Sequence, residues 1–181
     1  MKKILIATLT TLAFAAQAAN FVQVEQENVQ ARLKDGSDSA VTYVRAGKDF
    51  GDYNVGLQGR TARFDNGGVA TSLETYLSNK KVSVLGVAPF VGVGHDFGSS
   101  ASRAYNYGLV GATTGTKVGP GYAMVGVKTR VGTNADDPKQ TVGWVSYAYP
   151  VAKNVALTVG ASRSGQDIKE RGVSAGISIG F

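Results

Sequence analysis

The last eleven residues, Arg171-Gly172-Val173-Ser174-Ala175-Gly176-Ile177-Ser178-Ile179-Gly180-Phe181, decide the fold class. Val173, Ala175, Ile177, Ile179 and Phe181 fall on odd positions, and the even positions between them hold only glycine and serine. A period of two marks a β-strand whose faces meet different surroundings. One face here is apolar. The other is small and uncharged, where a soluble sandwich would carry Lys and Glu on its outer face.

Working backwards, the same alternation recurs in runs of roughly ten residues, each bounded by Gly, Asp, Asn or Lys. The pattern predicts strands over 21–32, 40–49, 53–64, 69–78, 82–94, 103–114, 120–131, 140–149, 154–163 and 171–181. Across the last eight, roughly three quarters of the odd positions are apolar, against roughly four tenths of the even ones. The even face is otherwise rich in Gly and Ser and holds four charges: Arg60, Glu74, Lys128 and Arg130. An apolar outside with a polar, sparsely charged inside is the pattern of a barrel facing lipid, and strands of about 9–11 residues suit a tilted crossing. A sheet in hydrocarbon has to close, because open edges would leave backbone groups unpaired. The expected fold is therefore all-β, a closed antiparallel transmembrane barrel of ten strands, with eight as the other count the pattern allows. The stretch Phe21-Val22-Gln23-Val24-Glu25-Gln26-Glu27 has a poor apolar face. It is kept as a strand because an even number returns both termini to one side.

Composition narrows the function classes. The chain has 181 residues, no cysteine, and one histidine, His95. Disulfides and thiolate chemistry are thereby excluded, and an imidazole cluster would need a second chain. The net charge is +6 but only 18% of residues are charged, which does not describe a nucleic-acid binder. Glycine is the anomaly: 24 residues, or near twice the usual share of about 7%.

Residues 1–18 read as a signal peptide. Lys2 and Lys3 open it, Ile4 to Ala16 are apolar, and Ala16-Gln17-Ala18 offers a small-x-small cleavage site. Residues 19–181 form the barrel domain. The connections 33–39, 65–68, 95–102, 132–139 and 164–170 then lie outside the cell, and the mostly shorter 50–52, 79–81, 115–119 and 150–153 face the periplasm.

The C-terminal strand, with Gly176, Ile177, Ile179 and the terminal Phe181, resembles the assembly signal of bacterial outer-membrane β-barrel proteins. That resemblance implies a Gram-negative outer-membrane location and insertion by the barrel-assembly machinery. Residues 142–157, Val-Gly-Trp-Val-Ser-Tyr-Ala-Tyr-Pro-Val-Ala-Lys-Asn-Val-Ala-Leu, are similar to the late hairpin of general porins. Those favour a Tyr strand, a Leu-Ser-Lys-Arg-Thr-like periplasmic turn and a returning apolar strand. In the turn only Lys153 matches well. The resemblance spans residues 140–181. No segment has the length of a porin constriction loop, so it implies at most a narrow channel.

Several side chains are singled out by position. Tyr53, Tyr147, Tyr149 and Phe181 at periplasmic strand ends, with Tyr105 and Tyr107 towards the outer ends, fit interfacial girdles; strand propensity alone is the other reading. Arg63, Arg103, Arg163 and Arg171 occupy odd positions at outer strand ends. There they could contact lipopolysaccharide phosphates, since guanidinium forks match phosphate geometry, or stand as solvated loop-edge charges. Arg60 and Glu74 are expected to pair in the lumen, with Glu25, Glu27 and Arg45 extending the network. Lys128 and Arg130 either make an anion-permeable stretch or are neutralised by Asp136 and Asp137. The large inward candidates Tyr76, Phe90, Tyr122, Met124 and Trp144 face a small row containing Thr158, Gly160, Ser162, Ser174, Gly176, Ser178 and Gly180.

Catalytic chemistry is not expected. His95, Asp96, Ser99, Ser100 and Ser102 hold the letters of a triad, but within one loop, whereas a triad needs partners from separated elements. No cofactor or metal is implied: Asn134, Asp136 and Asp137 lack the ligand count of a calcium loop. Two functions remain, a narrow porin-like channel for small solutes or ions, and a non-conducting structural or surface-interaction barrel (an adhesin or lipopolysaccharide binder). A secreted lipocalin-like barrel is a third. The expected partners are outer-membrane lipid, lipopolysaccharide and the assembly machinery.

Overall fold

The computed structural model describes residues 20–31, 37–82, 86–99 and 103–181. The leader assigned to residues 1–18 lies outside the described residues, as does most of the first connection. Ten strands form: β1 (Phe21–Ala31), β2 (Ser39–Phe50), β3 (Tyr53–Phe64), β4 (Val69–Asn79), β5 (Ala88–Asp96), β6 (Tyr105–Val118), β7 (Gly121–Gly132), β8 (Lys139–Ala152), β9 (Val155–Gln166) and β10 (Glu170–Gly180). Each pairs antiparallel with its neighbours in sequence, and β1 pairs with β10 from Phe21↔Gly180 to Ala31↔Glu170. The sheet is a closed barrel, and the count of ten is met.

Both described chain ends lie at one end of the barrel, the turn end. There Gly51-Asp52, Gly119-Pro120 and Lys153-Asn154 make two-residue connections. Gly51 and Gly119 both adopt φ of +57°, a backbone conformation that glycine reaches without steric cost. The opposite, loop end carries 65–68, 97–99, 103–104, 133–138 and 167–169. The strand β8 runs past its expected end at residue 149. It absorbs Pro150 through a register shift between Pro150 and Ala152, a bulge being one of the few places a sheet tolerates proline.

The two walls invert the usual arrangement of a water-soluble protein. Val91, Val93, Val110, Val159 and Val173 point outward and are each more than half exposed. The buried set includes Gln58, Ser72, Glu74, Gln140, Thr158, Ser164 and Ser174, all turned inward. A small apolar cluster of Val29, Val41 and Ala62, flanked by Tyr43 and Phe64, closes the wall of β1–β3 near the loop end.

One strand departs from the expected register. Odd residues face outward on β3–β5 and β7–β10, but on β6 Tyr107 and Leu109 are buried while Gly108 and Val110 are exposed. The turn chemistry explains this. A five-residue connection at 115–119 would keep odd facing odd, whereas the observed turn pairs Val118 with Gly121. Across the other edge Asp96 pairs with Tyr105, so an odd residue again meets an even one. Because the side-chain period is two, a one-residue change of register turns a whole strand over.

Candidate functional site

The lumen gathers the charged residues, and Glu74 is their centre. Its side chain is 1% exposed. Lys128 Nζ lies 2.6 Å from Oε2, and Arg130 forms an ion pair with Oε1. Gln58 donates to Oε2 at 2.9 Å and the Tyr107 hydroxyl to Oε1 at 3.1 Å. Such partners are required, because a buried carboxylate without them is costly. The expected Arg60–Glu74 pair does not form. Arg60 is registered with Ser72, and Gln58 with Glu74, so the geometry is off by two residues. Among the described residues Arg60 has no ion pair. Lys128 and Arg130 are neutralised by Glu74 from across the lumen, and Asp136 and Asp137 take no part.

From Glu74 the hydrogen bonds continue around the wall. Gln58 Oε1 accepts from Arg45 Nε at 2.7 Å, Arg45 Nη1 meets Glu25 at 2.6 Å, and Gln23 donates to Glu25 at 2.8 Å. On the other side Arg130 Nη1 donates to Gln140 at 2.8 Å. Glu27 accepts from the Tyr43 hydroxyl at 2.8 Å and from Ser162. The belt therefore draws side chains from β1, β2, β3, β4, β6, β7, β8 and β9. Glu25, Glu27 and Arg45 do extend the network as expected. Tyr107, Gln58 and Gln140 join the belt outside the expected set, Tyr107 because the turn falls at Gly119-Pro120 and not over 115–119.

The glycine surplus has a structural use here. Phe21 faces Gly47, Tyr76 faces Gly56, Tyr107 faces Gly94, Phe90 faces Gly111 and Trp144 faces Gly126, each pair directly in register. In all five a Cβ on the glycine would overlap the ring lying across it. Large inward side chains thus lie flat against the wall, each in the slot left by its neighbour, and aromatic cover of a sheet glycine recovers its missing packing.

Flat rings leave space. A cavity of about 450 Å³ occupies the lumen. Its lining reaches from Asn54, Ser78 and Ser178 near the turn end to Gln140, Ser164 and Glu170 near the loop end. The large Tyr76, Phe90, Tyr122, Met124 and Trp144 and the small Ser146, Thr158, Gly160, Ser162 and Ser174 all line it.

The surface candidates divide. Tyr53, Tyr149 and Phe181 are exposed at the turn end, and the Tyr147 hydroxyl donates to the Val118 carbonyl at 3.0 Å. Tyr107 is not a girdle residue: it is 3% exposed and committed to Glu74. Tyr105 shares its inward face, the two ring centroids lying 5.7 Å apart. Both corrections follow from the inverted register of β6. Arg63, Arg163 and Arg171 are exposed at the loop end. Arg103 precedes β6 and is held by Asp137, Nη2 to Oδ1 at 2.7 Å. That carboxyl also accepts from the backbone and side-chain nitrogens of Asn134, both at 2.9 Å. These bonds, the Asn134 amide foremost, hold Asp137 below the ordinary aspartate pKa. In the outward strand of the C-terminus Ile177, Ile179 and Phe181 are exposed, and Gly176 faces the lumen beside Glu25. His95 Nδ1 shares a 2.7 Å hydrogen bond with Asn106, and its ring packs edge-on against Phe97.

No family model matches the chain, and no curated protein matches it either. Among solved structures it is similar to the β-domain of the Bordetella autotransporter BrkA, at 9% identity and a TM-score of 0.51. That match covers 90% of this chain and 99% of that one. It is also similar to Neisserial surface protein A, at 14% identity and a TM-score of 0.47 over 89% and 96% of the two chains. The translocator domain of autotransporter NalP from Neisseria meningitidis matches at 12% identity and a TM-score of 0.49 over 89% and 87%. At 9% identity the BrkA match shows a shared fold alone, that of an outer-membrane-type β-barrel.

Proposed function

We propose that the protein resides in the outer membrane and conducts small solutes or ions passively through a narrow lumen. The carrying observation is the cavity of about 450 Å³ whose lining runs between the two ends of the barrel. The exposed apolar outer wall supports membrane residence, with the loop end outward and the turn end in the periplasm. On this reading Tyr53, Tyr147, Tyr149 and Phe181 sit at the periplasmic interface, and the C-terminal strand is what the assembly machinery engages.

Four lumen cations, Arg45, Arg60, Lys128 and Arg130, face four carboxylates, Glu25, Glu27, Glu74 and Glu170. The charges balance, and since rings of charge set the sign a pore admits, neither sign is strongly favoured. No catalytic role is proposed: His95 and Asp96 engage Asn106 and the Gly98 amide.

Planar-bilayer recording of the refolded protein is the test. A small, steady conductance with little preference between anions and cations is expected, reduced by Ser146→Trp in the cavity lining. Silence across a range of voltages would replace this reading with the non-conducting surface-interaction barrel.

A further inference from the structure

Two arginines on the outer wall face each other. Arg163 on β9 and Arg171 on β10 are direct cross-strand partners, both exposed and both on the outward face. Side chains in that relation project from Cβ atoms about 5 Å apart, and like charges so placed repel. Neither forms an ion pair among the described residues. The neighbouring strand adds hydrogen-bonding groups without adding an acid: Arg171 is registered with Gln30, and Gln30 Oε1 accepts from Arg171 Nε at 2.9 Å. This leaves both guanidinium forks and the Gln30 amide nitrogen as donors. Asn28, two residues along the same face, is exposed as well.

The pair sits at the loop end of strands whose lower outward residues are Val159, Ala161, Val173 and Ala175, an apolar surface. Donors directly above such a surface stand where a lipid carries its headgroup. A repelling pair is relieved by an anion between its members, and the phosphate oxygens of a headgroup match two guanidinium forks. We propose that Arg163 and Arg171, with Gln30 and Asn28, bind the phosphate of a phosphorylated outer-leaflet lipid. This rests on the membrane residence inferred above. It also narrows the four-arginine rim: Arg103 is taken by Asp137, and Arg63 stands on β3, separated from β10 by β1 and β2.

The test compares phosphatidylcholine vesicles containing a diphosphorylated glycolipid with vesicles containing its dephosphorylated form, both carrying refolded full-length protein. Flotation with the vesicles reads membrane residence on its own. Lipids retained in native mass spectra after detergent extraction read the site. Expected is at least tenfold enrichment of the phosphorylated lipid, lost in R163Q/R171Q and kept in R63Q and R103Q. In phosphate-free neutral detergent R163Q should raise Tm, because it removes the repulsion, and the phosphorylated lipid should raise Tm for wild type but not for R163Q/R171Q. A protein that floats yet retains both lipids equally overturns the proposal while leaving membrane residence intact. Equal stabilisation by inorganic phosphate overturns it in favour of a free-anion site. A dimer abolished by R163Q/R171Q without lipid overturns it in favour of a second copy. Failure to float overturns the residence on which it rests.

Discussion

Replacing Glu74 by glutamine keeps the shape of the belt and removes the charge at its centre. Glu74 is 1% exposed, and it is the carboxylate for both Lys128, 13% exposed, and Arg130, 15% exposed. Removing one partner of a buried ion pair costs about 3–5 kcal/mol, because the remaining charge is stranded. Two cations are stranded here, but the cavity beside them admits water, so the lower end, about 3 kcal/mol, is expected. With an m-value of about 2 kcal/mol/M the urea midpoint should fall by about 1.5 M with the slope unchanged. The reporter is built in. Trp144 is the single tryptophan, it lines the same cavity, and its strand pairs with β7, which carries both cations. Unfolding from lipid vesicles followed by Trp144 fluorescence therefore reads the change. A double-mutant cycle of E74Q with Lys128→Met should return a coupling of at least about 1 kcal/mol. A loss under about 1 kcal/mol for E74Q, or additive single effects, would refute the idea that one carboxylate neutralises both cations.

Other expectations follow from the packing and the loops. Gly126→Val forces a side chain into the Trp144 ring and should cost about 1–3 kcal/mol, with a shifted Trp144 emission maximum. Gln166 has φ of +72°, a left-handed conformation costing a non-glycine residue about 1–2 kcal/mol. Gln166→Gly should therefore raise stability by up to about 1 kcal/mol in the same urea assay. Asp137 has its carboxyl lowered below the ordinary value, so its hold on the 133–138 loop is complete above that value of about 4. As pH falls below about 4 through the depressed folded value, that hold is lost. Hydrogen exchange at the Asn134 amide should stay protected at pH 5 and open below pH 4, and Asp137→Asn should remove protection at both.

Much of the architecture is legible because alternation is a strong signal when one wall meets lipid and the other does not. The runs at 154–163 and 171–181 lie within a residue or so of β9 and β10 at most ends. The reading fails where local chemistry, not periodicity, fixes the register. Gly115, Thr116, Lys117 and Val118 read as a polar connection yet extend β6. Moving the turn to Gly119-Pro120 turned Tyr105 and Tyr107 inward. A proline after glycine, between two alternating runs, is the cue that could have placed it. Residue types at the site were visible, since an inward charge on a glycine-rich face is conspicuous. Partner identities were not, because Glu74 meets Lys128 across two intervening strands, and strand order alone cannot give that chord.

The seam between the first and last strands joins residues about as far apart as the chain allows. Phe21 lies against Gly180, and the Glu27 carboxylate reaches past β10 to Ser162 on β9. Bridging that separation is the most entropically demanding pairing in the molecule. What β10 offers there is clearance, since Gly172 and Gly176 pass under Glu27 and Glu25 where any Cβ would collide. The last strand thus fits beneath the Glu25 and Glu27 side chains only because these two positions lack a Cβ. A methyl group at Gly172 or Gly176 should act chiefly on the rate of closing, leaving the nine hairpins before it to form at their usual pace.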